Sequence, residues 1–243
     1  MTLAFVLVAA ASLSARTVTA AEHRFWISAG GGAAFGTLGW SASPTWEQYR
    51  EPAELEARYE AGPGPAFEAA LGVRVLPRLS VRAVFGWSRR DMNAQLEARI
   101  PHPFYFERPR PLEGEAPGLE YRELASYLDV AWRLLTGRIE LAVFGGVGLV
   151  RVESDLVERV EYAEEYPYDE VAFRAAVTGQ AQSDASVGWT AGAAVSHALG
   201  SRLGLALEAR YSRARVELAL PGGEPAPVNA GGLKVIASLR VGF

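Results

Sequence analysis

The chain of 243 residues is long enough for one large β domain, and no domain boundary is visible in it. Its formal net charge of −4 argues against nucleic-acid binding as the default function. The absence of cysteine excludes disulfide bonds and thiol chemistry, and no apolar run reaches the roughly 20 residues that a transmembrane helix needs.

An apolar run occupies residues 3–13 and is followed by small residues. Cleavage after Ala20 or Ala21 fits the preference of signal peptidase, although the first residues lack the usual Lys or Arg. A buried core helix is the alternative, and it is disfavoured because nothing amphipathic follows the run. We therefore expect residues 1–21 to be a removed signal peptide and residues 22–243 to be the mature domain.

The first predicted strand is Phe25–Phe35, in which apolar residues recur at every second position. A period of two places successive side chains on opposite faces, which is typical of a β-strand. The run Gly30-Gly31-Gly32 inside this strand predicts a close approach between backbones or sharp curvature. A long, charged loop is predicted to follow over residues 41–65.

Seven further segments alternate with the same period. They cover residues 67–76, 80–88, 123–134, 139–149, 187–196, 203–212 and 233–243. The alternation breaks near residues 89–91, where we expect a bulge or an exit from the membrane.

The connections between these eight segments alternate in length. Short turns are predicted at residues 77–78, 136–138 and 198–202, and long loops cover residues 41–65, 97–119, 151–184 and 221–231. A soluble sandwich has no reason to separate its loops in this way, whereas a membrane barrel has short turns on one side and long loops on the other. The sequence predicts an all-β fold, an eight-stranded antiparallel up-and-down transmembrane β-barrel with four long extracellular loops.

The last strand carries Leu239, Val241 and the terminal Phe243 on its apolar face. This ending resembles the closing strand of bacterial outer-membrane barrels. Together with the signal peptide and the eight strands, it is similar to the small OmpA/OmpX-like and OmpW-like barrels of the Gram-negative envelope. The resemblance implies an outer-membrane location, contact with lipid and lipopolysaccharide, recognition of the C-terminal strand by the barrel-assembly machinery, and a monomer that binds no nucleic acid.

If the apolar faces meet lipid, the opposite faces line the lumen. The charged residues on those faces are Glu68, Arg74, Arg82, Arg90, Glu123, Asp129, Arg133, Glu140, Glu208, Arg210, Lys234 and Arg240. An eight-stranded barrel is only wide enough for side chains to fill, so these charges must pair. We expect a network of ion pairs that plugs the lumen. A charged, porin-like conduit is the alternative, because several inward glycines, including Gly72, Gly148 and Gly192, leave room for water.

Aromatic residues lie mostly near the predicted strand ends, where an aromatic girdle of a membrane barrel belongs. The predicted girdle consists of Trp26, Trp40, Trp87, Trp132, Trp189 and Tyr211.

Catalysis is not expected from this sequence. Some barrels of this size modify lipid A with a histidine, a serine and a carboxylate, and of the three histidines only His102 lies in an outer loop. It stands between two prolines with no adjacent serine, which favours a rigid turn. Neither a cofactor nor a metal is expected, although carboxylates of the acidic third loop between Glu161 and Glu170 could bind a divalent cation.

The sequence therefore predicts a non-enzymatic outer-membrane barrel that acts in envelope structure or in surface binding through its loops. The contact candidates are Phe104, Tyr105, Phe106, Tyr162, Tyr166 and Tyr168. A narrow channel for small solutes is the main alternative, and a lipid A-modifying enzyme is a more remote one.

Overall fold

The computed structural model describes residues 23–219 and 225–243. The predicted signal peptide and part of the predicted fourth loop lie outside these ranges. Within them, no helix is long and apolar enough to cross a membrane. The strands are β1 (Phe25–Phe35), β2 (Leu38–Ala42), β3 (Thr45–Gln48), β4 (Glu51–Ala61), β5 (Gly64–Arg74), β6 (Leu79–Ile100), β7 (Arg110–Leu135), β8 (Ile139–Glu164), β9 (Val171–Gln182), β10 (Ser186–Ala198), β11 (Leu203–Leu218) and β12 (Ala226–Gly242).

Eight of these strands close into a ring. Its order is β1, β5, β6, β7, β8, β10, β11 and β12, after which β12 pairs with β1. Every pair is antiparallel, and each strand pairs with the ring strand before it in the chain. This topology confirms the predicted eight-stranded up-and-down barrel, and each of the eight predicted segments falls on one ring strand.

The closing contact explains the glycine run in β1. A side chain at Gly30 would overlap the backbone carbonyl of Ala237, and one at Gly32 would overlap that of Val235. Both partners belong to β12, which pairs with β1 from Trp26 to Phe35. The glycines therefore permit the close approach of backbones that the sequence predicts at this seam.

The outward face of the eight-stranded ring is apolar in a band that begins near the short turns and ends where the outer parts of the strands become polar. We call this surface the apolar belt. Its exposed large side chains include Ile27, Phe67, Leu71, Phe85, Leu124, Leu128, Val130, Val147, Leu149, Val187, Leu205, Leu207, Leu233 and Leu239.

Where the strands extend beyond the apolar belt, the outward side chains become polar and the inward side chains become apolar. In β6 the outward residues are apolar up to Trp87 and are polar from Arg89 onward, while the inward residues change from Arg90 to Met92 and Leu96. The pleat itself continues to Ile100, and the register shift of this strand lies between Met92 and Ala94, close to the predicted break. An inversion of this kind marks a change of surroundings from lipid outside to water outside.

The long loops predicted from the sequence are therefore largely strands, which corrects that prediction. The first contains the end of β2 and all of β3 and β4, the second contains the ends of β6 and β7, and the third contains the end of β8 and all of β9. We call β2–β4, β9 and the ends of β6, β7, β8, β11 and β12 beyond the belt the outer lobe.

The outer lobe has an apolar core of its own. Its buried members include Trp40, Leu55, Tyr59, Met92, Leu96, Ile100, Leu112, Leu119, Val152, Leu156, Val157, Val216, Leu218 and Val228. Trp40 stacks on Tyr59 with ring centroids 5.2 Å apart, and the Tyr59 hydroxyl accepts a hydrogen bond of 2.9 Å from the Val157 amide. This core closes the barrel at the end opposite the short turns.

Candidate functional site

The charges inside the barrel form three layers. The central layer is built on Asp129, whose carboxylate accepts a hydrogen bond of 2.8 Å from Arg82 and lies 3.0 Å from Arg210. Glu208 bridges the same two arginines at 2.7 and 2.6 Å, and Glu68 lies 3.2 Å from Arg210. Five side chains from β5, β6, β7 and β11 thus form one connected ion-pair network across the lumen.

Aromatic rings and a hydroxyl complete the central layer. The ring of Phe144 lies 4.1 Å from the Arg82 guanidinium and 4.8 Å from that of Arg210, and Thr190 accepts a hydrogen bond of 3.0 Å from Arg210. Cations over aromatic faces are stabilised by the ring quadrupole, and here both arginines are desolvated as well. The lumen is therefore filled at this level by contacting side chains.

The layer next to the outer lobe centres on Glu123. This carboxylate accepts hydrogen bonds of 2.8 Å from Lys234 and from the Gly231 amide. Arg90, which we expected in the ion-pair network, donates to the carbonyls of Gly36 and Gly231 at 3.0 and 3.1 Å instead. It therefore ties the backbone of the connection between β1 and β2 to the backbone of β12.

The layer next to the short turns is built around Glu140. Arg133 lies 3.0 Å from Glu140, Arg240 lies 3.6 Å from it and Arg74 lies 4.0 Å from it. The Arg240 guanidinium also stacks 4.1 Å from the Trp26 ring. Among the described residues, three guanidinium groups thus lie within 4.0 Å of the Glu140 carboxylate at this end.

Aromatic rings occupy much of the space beside the inward glycines. A side chain at Gly72 would overlap the Trp26 ring, and one at Gly192 would overlap the Phe144 ring. The sequence predicts room for water beside such glycines, and the structure corrects this prediction because the indole and phenyl groups fill that space.

Two members of the predicted aromatic girdle face inward. Trp26 is 7% exposed beneath Arg240, and Trp40 is 9% exposed in the core of the outer lobe. The prediction was wrong for both, because they occupy the inward phase of their strands. Outward positions are held by Trp87, Trp132, Trp189 and Tyr211.

The C-terminal strand presents its predicted face to the outside. Leu239 and Phe243 are exposed, and Val241 between them is half-exposed. The backbone of Phe243 exchanges hydrogen bonds with that of Phe25, so the last residue closes the ring beside the first strand.

The far end of the outer lobe carries a group of aromatic residues, all exposed except the half-buried Tyr168, which we call the aromatic tip. It is formed by the turn between β6 and β7 and the turn between β8 and β9. Its members are Phe104, Tyr105, Phe106, Tyr166 and Tyr168. The rings of Phe104 and Tyr168 lie 5.5 Å apart across the two turns, and those of Tyr166 and Tyr168 lie 6.0 Å apart.

A buried arginine holds the two turns of the tip together. Arg110 is 3% exposed and donates hydrogen bonds of 2.6 Å to Glu164, 3.0 Å to the Tyr168 carbonyl and 2.7 Å to the Pro101 carbonyl. Tyr49 donates to the same Glu164 carboxylate. Both turns are thus fixed by a buried, charge-assisted network rather than by the aromatic rings alone.

His102 lies beneath the tip and is 3% exposed. Its Nδ1 accepts a hydrogen bond of 3.1 Å from the Phe104 amide, and its ring lies 4.8 Å from that of Tyr105. Its Nε2 is 3.9 Å from Asp169. These contacts support the structural role that the sequence predicts for this histidine.

Two other sequence candidates have different surroundings from those expected. Tyr162 packs against the core of the outer lobe, and burial raises the pKa of its hydroxyl. Among the described residues, the acidic side chains of the third loop form no group of three or more that could hold a metal ion. Glu164 pairs instead with Arg110, and Asp169 lies 3.5 Å from Arg108.

Comparison with known proteins bears on the fold. No family profile matches the sequence, and no curated protein matches it. The outer-membrane protein OprG from Pseudomonas aeruginosa has a similar structure, with a TM-score of 0.50 and 10% identity over 93% of this chain and 99% of that chain. The chain has the fold of the small outer-membrane β-barrel proteins.

Two further structures of outer-membrane barrels match nearly their whole length. Neisserial surface protein A has a TM-score of 0.45 and 15% identity over 90% of this chain and 97% of its own. The outer-membrane protease OmpT from Escherichia coli has a TM-score of 0.48 and 10% identity over 96% of this chain and 99% of its own.

The two ends of the ring differ in the length of their connections. Short turns of such barrels face the periplasm and the longer connections face outside. The layer around Glu140 lies at the end of the ring that carries the short turns, and the aromatic tip lies at the opposite end.

Proposed function

We propose that the protein is a non-enzymatic, integral outer-membrane barrel that binds a partner at the cell surface through the aromatic tip. The observation that carries this proposal is the exposure of three rings on a fixed frame. Phe104, Phe106 and Tyr166 are 68%, 74% and 84% exposed, while Arg110 beneath them is buried. Exposed apolar rings on an ordered surface are typical of binding sites.

The aromatic tip lies too far above the apolar belt to be part of a lipid-facing aromatic girdle. From Arg89, where the outward face becomes polar, β6 continues to Ile100. At about 3.3 Å per residue this is a path of roughly 36 Å, and a strand tilt of about 40° leaves a height of roughly 28 Å above the belt. The aromatic tip therefore stands well above the hydrocarbon and is available to soluble or surface-bound partners.

The frame beneath the tip lowers the cost of binding. Ordering a flexible loop opposes association, whereas a turn already fixed by Arg110 and Glu164 loses little conformational freedom. Tyr and Phe also offer a large contact area with only two rotatable side-chain bonds. Both features favour recognition of another surface over a purely mechanical role in the envelope.

The test compares live cells of a deletion strain that carry the wild-type chain or a tip variant, Phe104→Ser with Phe106→Ser and Tyr166→Ser. Attachment to a panel of immobilised glycans and extracellular proteins is measured at matched surface levels, together with resistance to detergent. The expected result is attachment at the level of the deletion strain with wild-type detergent resistance. A matched control replaces outward residues of the lobe wall, Gln95 and Glu97, by Ser, and attachment is retained.

Equal attachment by the tip variant and the wild type would overturn the proposal. If attachment were the same in all strains and the deletion strain became sensitive to detergent, a role in envelope structure would replace it. The channel alternative has less support, because both the central ion-pair layer and the apolar core of the lobe lie across the path. Those two barriers predict little or no ionic current.

A further inference from the structure

The wall of the barrel has a seam above the apolar belt, on one side of the C-terminal strand. The strands β1 and β12 pair as far as the contact of Phe35 with Leu233. Beyond that contact the chain turns at Gly36 and enters β2, which pairs with β4. In the part of the chain that the structure describes, β2 lies beside residues 226–232 of β12 without strand pairing between them. The backbone ladder of the barrel is therefore interrupted at this seam.

A crevice of about 410 Å³ lies on the outer surface of the seam. The rim nearer the belt is apolar and consists of the exposed side chains of Phe35, Tyr211 and Leu233, which form one row across three paired strands. The rim farther from the belt is polar and consists of Thr37, Asn229 and Arg213. Binding sites for small molecules commonly have volumes of roughly 300–1,000 Å³. The crevice thus has the size of a ligand site and lies where the lipid-facing surface meets the water-facing surface.

Glycines keep the floor of the crevice uncovered. Gly231 and Gly232 have φ angles of 110° and 111°, a region of the backbone map that favours glycine. A side chain at Gly232 would stand 3.3 Å from a guanidinium nitrogen of Arg90. The absence of side chains at these two positions leaves Arg90 as part of the crevice lining.

Arg90 is a buried cation that meets only neutral acceptors. It is 2% exposed, and its two terminal nitrogens donate to the Gly36 and Gly231 carbonyls on the two sides of the seam. Within residues 23–219 and 225–243, its Nε has no hydrogen-bond partner and no carboxylate lies within 4.0 Å of it. The nearby Glu123 carboxylate is held by Lys234 at 2.8 Å. A buried guanidinium without an anionic partner is costly, and an anionic oxygen in the crevice would stabilise it.

We infer that the crevice binds an anionic lipid of the surrounding membrane, with its apolar tails on the belt and its headgroup on Arg90 and Arg213. The exposed Arg213 attracts the headgroup, and Arg90 binds one of its oxygens, because planar guanidinium groups match the geometry of phosphate and carboxylate. The apolar row of Phe35, Tyr211 and Leu233 favours a lipid over a free anion, because these side chains contact only an apolar tail. The site lies below the aromatic tip and does not depend on it.

The test places the purified full-length protein in nanodiscs of phosphatidylcholine with a varied minor fraction of phosphatidylglycerol. Native mass spectrometry then measures the lipid that each variant retains. The wild type is expected to retain phosphatidylglycerol in preference to phosphatidylcholine. Arg90→Gln is expected to lower the affinity for phosphatidylglycerol at least about tenfold, since a hydrogen bond to a charged group is lost. Arg213→Gln is expected to lower it by a smaller factor, because an exposed charge is screened by water.

Arg215→Gln is the matched control, since Arg215 is exposed on the same strand as Arg213 but lies outside the crevice. It is expected to leave the affinity unchanged. Thr37→Trp fills the crevice and keeps both arginines, so it is expected to abolish the preference for phosphatidylglycerol. This variant carries the test if heat-modifiable gel mobility shows that Arg90→Gln does not fold.

A further arm adds inorganic phosphate to the wild type, and the retained lipid is expected to stay in place. Displacement of the lipid by millimolar phosphate would mean that the crevice takes a free anion, and it would overturn the inference. The inference also fails if the wild type retains both lipids equally, if folded Arg90→Gln or Thr37→Trp binds phosphatidylglycerol as the wild type does, or if Arg215→Gln lowers the affinity as much as Arg213→Gln.

Discussion

The guanidinium of Arg210 lies 3.0 Å from the carboxylate of Asp129, and both side chains are at most 1% exposed. The two residues come from β11 and β7, which are not neighbours in the ring, so the pair spans the lumen. This contact links the charge pattern of the sequence to the closed interior of the barrel.

Replacement of Arg210 by Met is expected to lower the free energy of unfolding by about 3–5 kcal/mol, because Asp129 and Glu208 would remain buried without enough positive charge. Urea unfolding in lipid vesicles, followed by tryptophan fluorescence, measures this loss. Arg213→Met, on the exposed face of the same strand, is the control and is expected to change stability by less than about 0.5 kcal/mol. Similar losses of unfolding free energy in both variants would mean that the buried ion pair stabilises the fold no more than an exposed arginine does.

Replacement of Arg110 by Met is expected to loosen the aromatic tip while leaving the barrel folded, since the Pro101 and Tyr168 carbonyls lose this donor and Glu164 loses its cation. Chymotrypsin cleaves after aromatic residues, so limited proteolysis should show faster cleavage within the two turns of the tip. Arg108→Met is the matched control, because Arg108 is exposed and contacts the tip only at Asp169 and Tyr105. An unchanged cleavage rate in Arg110→Met would contradict the role of Arg110 as the frame.

Small residues are expected to be required beside the inward rings. Gly192→Ala brings a methyl group against the Phe144 ring and the Ala209 carbonyl, and should cost about 1–3 kcal/mol of stability through overpacking. Gly200→Ala, in a turn with open space around it, should be nearly neutral. The midpoint of urea unfolding measures both. A neutral Gly192→Ala would show that the space beside Phe144 is larger than described.

The outer lobe is expected to lose stability at alkaline pH. Burial raises the pKa of Tyr59 from 10.0 to about 12, partly offset by its hydrogen bond with Val157. The folded state therefore favours the protonated hydroxyl, so its contribution to stability is fully present below pH 10 and is lost as the pH rises through about 12. Tyrosinate absorbance should show this late titration in the wild type and lack it in Tyr59→Phe. A complete tyrosine titration near pH 10 would contradict the buried position.

The barrel strands could be predicted from the sequence because lipid and lumen impose opposite polarity on successive residues. The outer lobe could not be recognised, because the polarity inverts beyond Trp87 while the pleat continues, and a polar outward face was interpreted as loop. The inverted alternation of Met92, Leu96 and Ile100 was the available signal. The same parity argument places Trp26 inward, since its neighbours Phe25 and Ile27 face outward.

The sequence alone could not identify the ion-pair partner of each charged residue. Alternation assigns Arg82, Arg90 and Arg210 to the lumen, but which carboxylate each one meets depends on the stagger between strands that are distant in the chain. Arg90 shows the limit, because its donors meet backbone carbonyls rather than a carboxylate. The aromatic tip likewise depends on two turns that come together only in the folded lobe.

The central claim is that apolar side chains face lipid over the belt and that polar side chains face water above it. Because the chain has no cysteine, single nitroxide labels can be placed without background at Leu128→Cys and Leu205→Cys in the belt, and at Gln95→Cys and Arg215→Cys above it. In lipid vesicles, the two belt labels should be relaxed by oxygen and shielded from a water-soluble nickel complex, and the two upper labels should show the reverse. Strong relaxation of the belt labels by the nickel complex would contradict the account.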